Sequence, residues 1–240
     1  MKTYQIHLIR HALIQENIDG KYIGQTDVSV CKEGFEQLHD IMEHYGEYPD
    51  VDAVFSSPLK RCLETAKEIY PDKNPIIIDE LREYDFGEFE GKTAEELKDD
   101  EDFIEWLAGT NPHKAAPFGD SQMRFNYRVC QAFEKIVDGI IETGVKNTAI
   151  ITHGGVIMSI MAAYALPEAS MHEWLTPSCC GYTIRVTPSI WARGMKVEAV
   201  AECPSEPEVF EHELWDVYDP DKDPYDIAYW EDDSNFTDEQ

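Results

Sequence analysis

Positive charge is scarce in this sequence. Its 240 residues include 20 Lys and Arg against 48 Asp and Glu, which gives a formal net charge of −28. Nucleic-acid backbones and anionic membrane surfaces are bound mainly through Lys and Arg, so neither is expected as a partner. The acidic residues are concentrated at one end, because residues 202–240 hold 15 of them and one lysine, which is half of the net charge.

Long apolar runs and paired cysteine motifs are also missing. No stretch of about 18 consecutive apolar residues occurs, so no transmembrane helix is predicted. The first residues lead into a strand-like run rather than the apolar core of a signal peptide. No Cys-x-x-Cys pair occurs, which gives no sign of a metal site and predicts free thiols in a reducing, cytoplasmic setting. The cysteines are Cys31, Cys62, Cys130, Cys179, Cys180 and Cys203.

Short apolar runs alternate with helical patterns, which is typical of an α/β protein with a largely parallel, covered sheet. Four strands are predicted at residues 5–9, 51–55, 75–78 and 147–152. Helices are predicted to begin at Ser57-Pro58, to span residues 121–142, and to begin at Gly154-Gly155. Residues 181–186 and 195–200 are predicted to form two antiparallel strands joined near Arg193-Gly194.

The chain is predicted to contain a domain of residues 1–202 and an acidic tail of residues 203–240. The tail has seven aromatic side chains, whereas fully disordered segments are usually poor in aromatics. It is therefore expected to dock on its own domain or on a second subunit, as in a homodimer. A solvated tail is the alternative.

Three segments place cationic or titratable residues after apolar strands. Arg10 and His11 follow the first strand, Arg61 lies in the first turn of the helix after the second, and His153 follows the fourth. The carboxyl ends of parallel strands face one crevice, so these residues are expected to converge. Arginine pairs with phosphate oxygens and helix N-termini favour anions, so the predicted ligand is a phosphoryl group.

A fourth segment, residues 81–87, brings carboxylates to the same edge. A carboxyl group that keeps its proton beside a phosphate can serve as a general acid. Spacing alone does not choose between Glu83, Asp85 and Glu80.

The order and spacing of these segments resemble the signature blocks of the histidine phosphatase superfamily, the phosphoglycerate mutase-like proteins. Within that superfamily they resemble the branch that contains α-ribazole phosphatase. The resemblance covers residues 4–188 and leaves out the acidic tail. The matching blocks are Leu8-Ile9-Arg10-His11, residues 21–28 with Asn17 before them, residues 55–61, residues 81–91, and Thr152-His153-Gly154-Gly155.

The resemblance implies a three-layer α/β sandwich with a mostly parallel central sheet flanked by helices. It implies a metal-independent phosphomonoesterase that acts on a small phosphorylated metabolite, with no cofactor. His11 would take the phosphoryl group and Glu83 would protonate the leaving alcohol. The phosphate oxygens would be bound and neutralised by Arg10, Arg61 and His153, with Asn17 as a minor contact.

The sequence departs from the family pattern near the nucleophile. Ala12 replaces a glycine and restricts the backbone, and Ile14 replaces a residue with a hydroxyl group. A decayed site that only binds phosphorylated ligands is therefore one alternative. A phosphomutase of the same superfamily is another. Residues 103–118 lie where the family inserts a lid, and their aromatics are expected either to contact the leaving group or to pack internally.

Overall fold

A computed structural model describes residues 2–205, so the predicted docking of the acidic tail lies outside the described residues. Seven strands form one mixed sheet in this part of the chain. The strands are β1 (Tyr4–Arg10), β2 (Ala53–Ser56), β3 (Ile76–Ile77), β4 (Asn147–Thr152), β5 (Ala165–Leu166), β6 (Gly181–Val186) and β7 (Val197–Cys203). Their spatial order is β3-β2-β4-β1-β6-β7-β5.

Helices connect these strands. They are α1 (Gln15–Ile18), α2 (Lys32–Asp40), α3 (Lys60–Ile69), α4 (Ala94–Leu97), α5 (Glu101–Leu107), α6 (Gln122–Thr143), α7 (Gly154–Tyr164) and α8 (Pro188–Gly194). Across residues 2–205, no helix combines the length and apolar character that crossing a membrane requires.

Buried side chains alternate between the two faces of the central strands. In β1, Tyr4, Ile6 and Leu8 join one core cluster, with α6 and α7, while Ile9 joins a second cluster, with α2 and α3. A strand covered on both faces reads as a continuous apolar run, as residues 149–151 of β4 do. Two cores on opposite faces of one sheet make three layers, which confirms the predicted sandwich.

The centre of the sheet is parallel. Strands β3, β2, β4 and β1 all run the same way, while β6 pairs antiparallel with both β1 and β7. Arg10 lies opposite Thr152 at the carboxyl ends of β1 and β4. The connections that leave these two ends therefore begin side by side.

The sequence misplaced two local features. Strands β6 and β7 pair antiparallel as predicted, but the connection that ends near Arg193-Gly194 is the helix α8, with Pro188 in its first turn, where a missing N–H costs nothing. Helix α3 begins at Lys60, three residues after Ser57, whose hydroxyl lies 2.8 Å from His153 Nε2 and accepts from the Leu59 N–H at 3.4 Å. The long helix α6 agrees with the prediction, and Ser121 caps its N-terminus.

The lid region is mostly packed inward. Phe103 and Trp106 stack on each other and contact Tyr22, and Phe103 is buried. The Trp106 indole N–H donates to the Tyr84 hydroxyl at 2.9 Å. Phe118 differs, since 91% of its surface is exposed. Packing is therefore the role of the aromatics on α5, and Phe118 alone projects outward among the aromatics singled out in this region.

Candidate active site

The carboxyl ends of β1 and β4 hold two histidines against each other. The His11 backbone N–H donates to the Thr152 carbonyl at 2.9 Å, which continues the ladder between the strands by one residue. The ring centroids of His11 and His153 lie 5.2 Å apart, at an angle of 66°. Sequence reasoning predicted this convergence from the parallel strands.

His11 is held in one neutral tautomer. Its Nδ1 lies 2.8 Å from the Ala12 carbonyl oxygen, which can only accept, so Nδ1 carries the proton. Burial lowers the pKa of His11 well below 6.5, and the Arg61 and Arg10 cations lower it further. The Nε2 lone pair is consequently available near pH 7, as a nucleophile requires.

The pKa of His153 is also lowered well below 6.5. Burial is the largest cause of its lowered pKa, followed by the Arg61 cation and by His11. Its Nε2 lies 2.8 Å from the Ser57 hydroxyl. The role of His153 in binding and neutralising phosphate oxygens stays a prediction.

Two buried guanidinium groups supply the positive charge. Arg10 donates from Nη1 to the Thr176 carbonyl at 2.8 Å. Its guanidinium lies against Gly154, the first residue of α7, since a Cβ added at Gly154 would be 3.5 Å from the Arg10 Cζ. Arg61 is fully buried and donates to the carbonyls of Thr26 at 2.9 Å and Gly24 at 2.7 Å. Buried cations beside a helix N-terminus favour a dianionic ligand.

Glu83 is the carboxylate that reaches this cluster. It is 2% exposed, and its Oε2 accepts from the Gly155 N–H at 3.0 Å, in the first turn of α7. Its Oε1 accepts from the Tyr84 N–H at 2.8 Å. Glu80 is exposed at the surface, and Asp85 accepts from the Gly87 N–H at 3.0 Å. Of the three predicted candidates, Glu83 is therefore the one bonded to the helix that follows His153.

Asn17 is not bonded to the other site residues. It lies on α1, and its buried Oδ1 makes no hydrogen bond within the described residues.

The two departures from the family pattern are accommodated. Ala12 is buried without a positive φ, so its side chain imposes no backbone strain, and Ile14 is buried in the apolar interior.

Residues 6–197 match the family model described as "Histidine phosphatase superfamily (branch 1)". The chain belongs to the histidine phosphatase superfamily. It is accordingly a phosphoric monoester hydrolase. Sequence reasoning had reached the same family, and the likeness to the α-ribazole phosphatase branch is confirmed by the relatives below.

Two relatives of this histidine phosphatase are named as phosphatases of small molecules. It is 28% identical over 191 residues to the adenosylcobalamin/α-ribazole phosphatase of Escherichia coli, which covers 76% of this chain and 90% of the relative. It is 34% identical over 130 residues to phosphoserine phosphatase 1 of Hydrogenobacter thermophilus, covering 52% and 60% respectively. The crystal structure of the α-ribazole phosphatase from Shigella flexneri matches with a TM-score of 0.70 at 23% identity. That match covers 86% of this chain and all of the other, and it shows the shared fold.

Several supporting residues of the histidine phosphatase escaped sequence reasoning. The Thr65 hydroxyl accepts from the Ala12 N–H at 2.9 Å, which fixes the residue after His11. The Glu90 carboxylate accepts from the N–H groups of Gly24 and Gln25, which orders the segment whose carbonyls bind Arg61. Glu90 lies in the block of residues 81–91 and Thr65 follows the block of residues 55–61, but their partners are 53 or more residues distant, so no local pattern reveals them.

Within residues 2–205, no group of three or more His, Cys, Asp or Glu side chains is arranged to hold a metal ion. All six cysteines of the phosphatase are free thiols, and Cys62, Cys179 and Cys203 are buried. Cys62 lies 3.5 Å from His153 Nε2, and burial raises its pKa to about 12. This thiol therefore stays protonated beside the site.

Proposed function

We propose that this phosphatase removes the phosphoryl group from a small phosphorylated metabolite through a phosphohistidine at His11, without a metal or cofactor. The observation that carries the proposal is the state of His11. Its Nδ1–H donates to the Ala12 carbonyl, burial lowers its pKa, and the cations of Arg61 and Arg10 lie near enough to lower that pKa further. A neutral imidazole beside cations can attack a dianion that the cations bind.

The first step transfers the phosphoryl group to the enzyme. His11 Nε2 forms a bond to phosphorus while the bond from phosphorus to the ester oxygen breaks. Glu83 gives its proton to that departing oxygen, so the product leaves as an alcohol rather than an alkoxide. Arg10 and Arg61 bind the equatorial oxygens, where charge is concentrated in a loose phosphoryl-transfer transition state.

The second step releases inorganic phosphate. Glu83, now ionised, accepts a proton from water as the water oxygen attacks phosphorus, and the phosphorus–nitrogen bond to His11 breaks. Each arginine is worth about 3 kcal/mol of transition-state stabilisation, by comparison with the loss of one oxyanion donor. His153 donates a hydrogen bond to a phosphate oxygen, and Asn17 provides a minor contact.

The partner in this proposal is a small phosphorylated metabolite. The relatives named above support that substrate class, since α-ribazole and phosphoserine esters are small molecules. A reducing, cytoplasmic setting suits a chain whose six thiols are free. Assembly as a homodimer is part of the proposal and is tested by light scattering of the full chain.

The decisive variant is His11→Ala. We expect its rate of p-nitrophenyl phosphate hydrolysis to fall to about a thousandth of wild type or less, because the nucleophile is gone. Circular dichroism should be unchanged. His113→Ala is the control, since His113 is exposed at the surface. Retention of full activity by His11→Ala overturns the proposal.

A phosphoenzyme trap tests the intermediate directly. Rapid acid-free quenching with a labelled ester should leave label on the wild-type chain and none on His11→Ala. Label at His11 excludes a protein that only binds phosphate. Comparison of isomerisation with phosphate release, using 3-phosphoglycerate with bisphosphoglycerate, separates hydrolysis from mutase activity.

A further inference from the structure

We propose that Arg128, in the middle of α6, is a positioning residue that holds the proton donor Glu83 in place through its backbone. This inference rests on the proposed role of Glu83. It assigns a function in the reaction to a side chain that belongs to none of the motif blocks.

Arg128 binds three carbonyls within four residues of the donor segment. Its Nη1 donates to the carbonyls of Glu80 at 2.7 Å and Arg82 at 2.8 Å. Its Nη2 donates to the Glu83 carbonyl at 3.1 Å. These carbonyls lie in and just after a short 3₁₀ turn, Asp79–Leu81, where regular secondary structure leaves carbonyl acceptors unused.

A carboxylate partner and an aromatic ring fix the guanidinium itself. Asp120 is 6% exposed, and its Oδ2 accepts from Arg128 Nη2 at 3.2 Å. The Arg128 Cζ lies 5.2 Å from the centre of the Phe125 ring, one turn earlier on α6. The planar fork is thus oriented before it meets the three carbonyls, so little entropy is lost on each bond.

Glu83 is therefore held from two sides. Its backbone carbonyl is tied to α6 through Arg128 and to Gln25, whose Nε2 donates at 2.7 Å. Its carboxylate is tied to α7 through the Gly155 N–H at 3.0 Å. Removal of the Arg128 guanidinium leaves the Gln25 bond to the Glu83 carbonyl but removes the tie to α6, so the carboxylate is positioned less precisely toward the leaving oxygen.

The surroundings of Arg128 make this role testable by chemical rescue. Arg128, Gln25, Asp85 and Asp120 line a cavity of about 560 Å³. Truncation of the side chain leaves a space next to this cavity, which free guanidinium can enter. The charge and the hydrogen-bond donors would then be restored without the covalent link.

The experiment compares two esters across a set of variants. Loss of proton donation harms an alkyl phosphate, such as glycerol phosphate, far more than p-nitrophenyl phosphate, whose phenolate leaves without a proton. We expect Arg128→Ala to lower kcat/KM for the alkyl ester about tenfold more than for the aryl ester, since misplacement by a fraction of an ångström costs that much. Millimolar guanidinium chloride should restore part of the alkyl-ester rate, and sodium chloride should not.

Arg124→Ala is the matched control. Arg124 lies one turn earlier on the same helix and pairs with the same Asp120 at 3.4 Å, but it is largely exposed and does not contact residues 80–83. Its ratio of alkyl to aryl kcat/KM should equal that of wild type. Equal losses on both esters in Arg128→Ala, or no rescue by guanidinium, overturn the inference.

Two further variants separate the possible failures. Arg128→Lys serves if the alanine variant does not fold, because lysine keeps an aliphatic stem and a positive charge. The lysine ammonium cannot bind three carbonyls at once, so the ratio of alkyl-ester to aryl-ester kcat/KM should still fall. Glu83→Gln must show the same ester dependence. If Glu83→Gln lowers kcat/KM equally for both esters, Glu83 is not the proton donor, and the inference about Arg128 is wrong as well. If Glu83→Gln shows the ester dependence and the Arg128 variants do not, only the inference about Arg128 is wrong.

Discussion

A methyl group on Gly155 would occupy the space of the Glu83 carboxylate. A Cβ built at this glycine lies 2.5 Å from Glu83 Oε1 and 3.2 Å from its Cδ, whereas ordinary contacts begin near 3.4 Å. The carboxylate must move by about 1 Å, and a misplacement of that size costs about a hundredfold in rate, or about 2.7 kcal/mol. Gly155→Ala is therefore expected to disable proton donation.

The assay measures kcat/KM for an alkyl phosphate together with the free energy of unfolding in urea. The control is Gly139→Ala in α6, where an added Cβ meets no atom within 4 Å. That variant should gain about 0.5–1 kcal/mol of stability, as alanine does over glycine in a helix, with unchanged kinetics.

Wild-type activity toward the alkyl ester in Gly155→Ala would refute this reasoning. It would mean that the Glu83 carboxylate does not act from its position at the N-terminus of α7. A parallel loss of activity and of folded protein would point instead to a damaged helix, which the urea measurement detects.

Two other predictions concern pH and salt. Burial lowers the pKa of His7 to about 4, and the pKa values of His11 and His153 also lie below 6.5, so the unfolded chain takes up protons first as pH falls. The free energy of unfolding should decrease from about pH 6.5 downward, by about 1.4 kcal/mol for each unit by which the folded protein lowers the pKa of a histidine. His7→Gln should weaken this pH dependence. Urea titrations that give equal stability at about pH 7 and pH 5 would contradict this. Modest salt should raise kcat/KM for phosphate esters by screening the acidic chain over about 8 Å, and deletion of residues 206–240 should reduce the effect. An unchanged salt dependence after the deletion would exclude the tail from substrate capture. The deletion begins at 206 because Cys203 pairs with Gly181 in the sheet.

The sequence predicted the features that depend on residues close together in the chain. Apolar runs of the right length predict β1 and β4, and spacings of three and four predict the buried stripe of α6. The parallel arrangement follows from helices between strands, and it is enough to place Arg10, His11 and His153 at one edge.

Local reasoning failed where a side chain is used by a distant partner. Ser57 reads as a helix cap in sequence, yet its hydroxyl binds His153, 96 residues away. The connection between the two C-terminal strands was not predicted as a helix, although the strands pair antiparallel as predicted. The Ser57 hydroxyl is compatible with more than one local structure, and a tertiary contact holds it beside His153.

The sequence by itself determined the family, the strands that carry the motifs, and the identity of the charged groups at the site. It did so because those properties depend on residue type and spacing along the chain. Only the tertiary structure decided which carboxylate reaches α7, which tautomer His11 adopts, and that Arg128 binds the donor segment. Those properties depend on hydrogen bonds between residues 45 or more positions apart, or on the orientation of a ring, and neither is encoded in a local pattern.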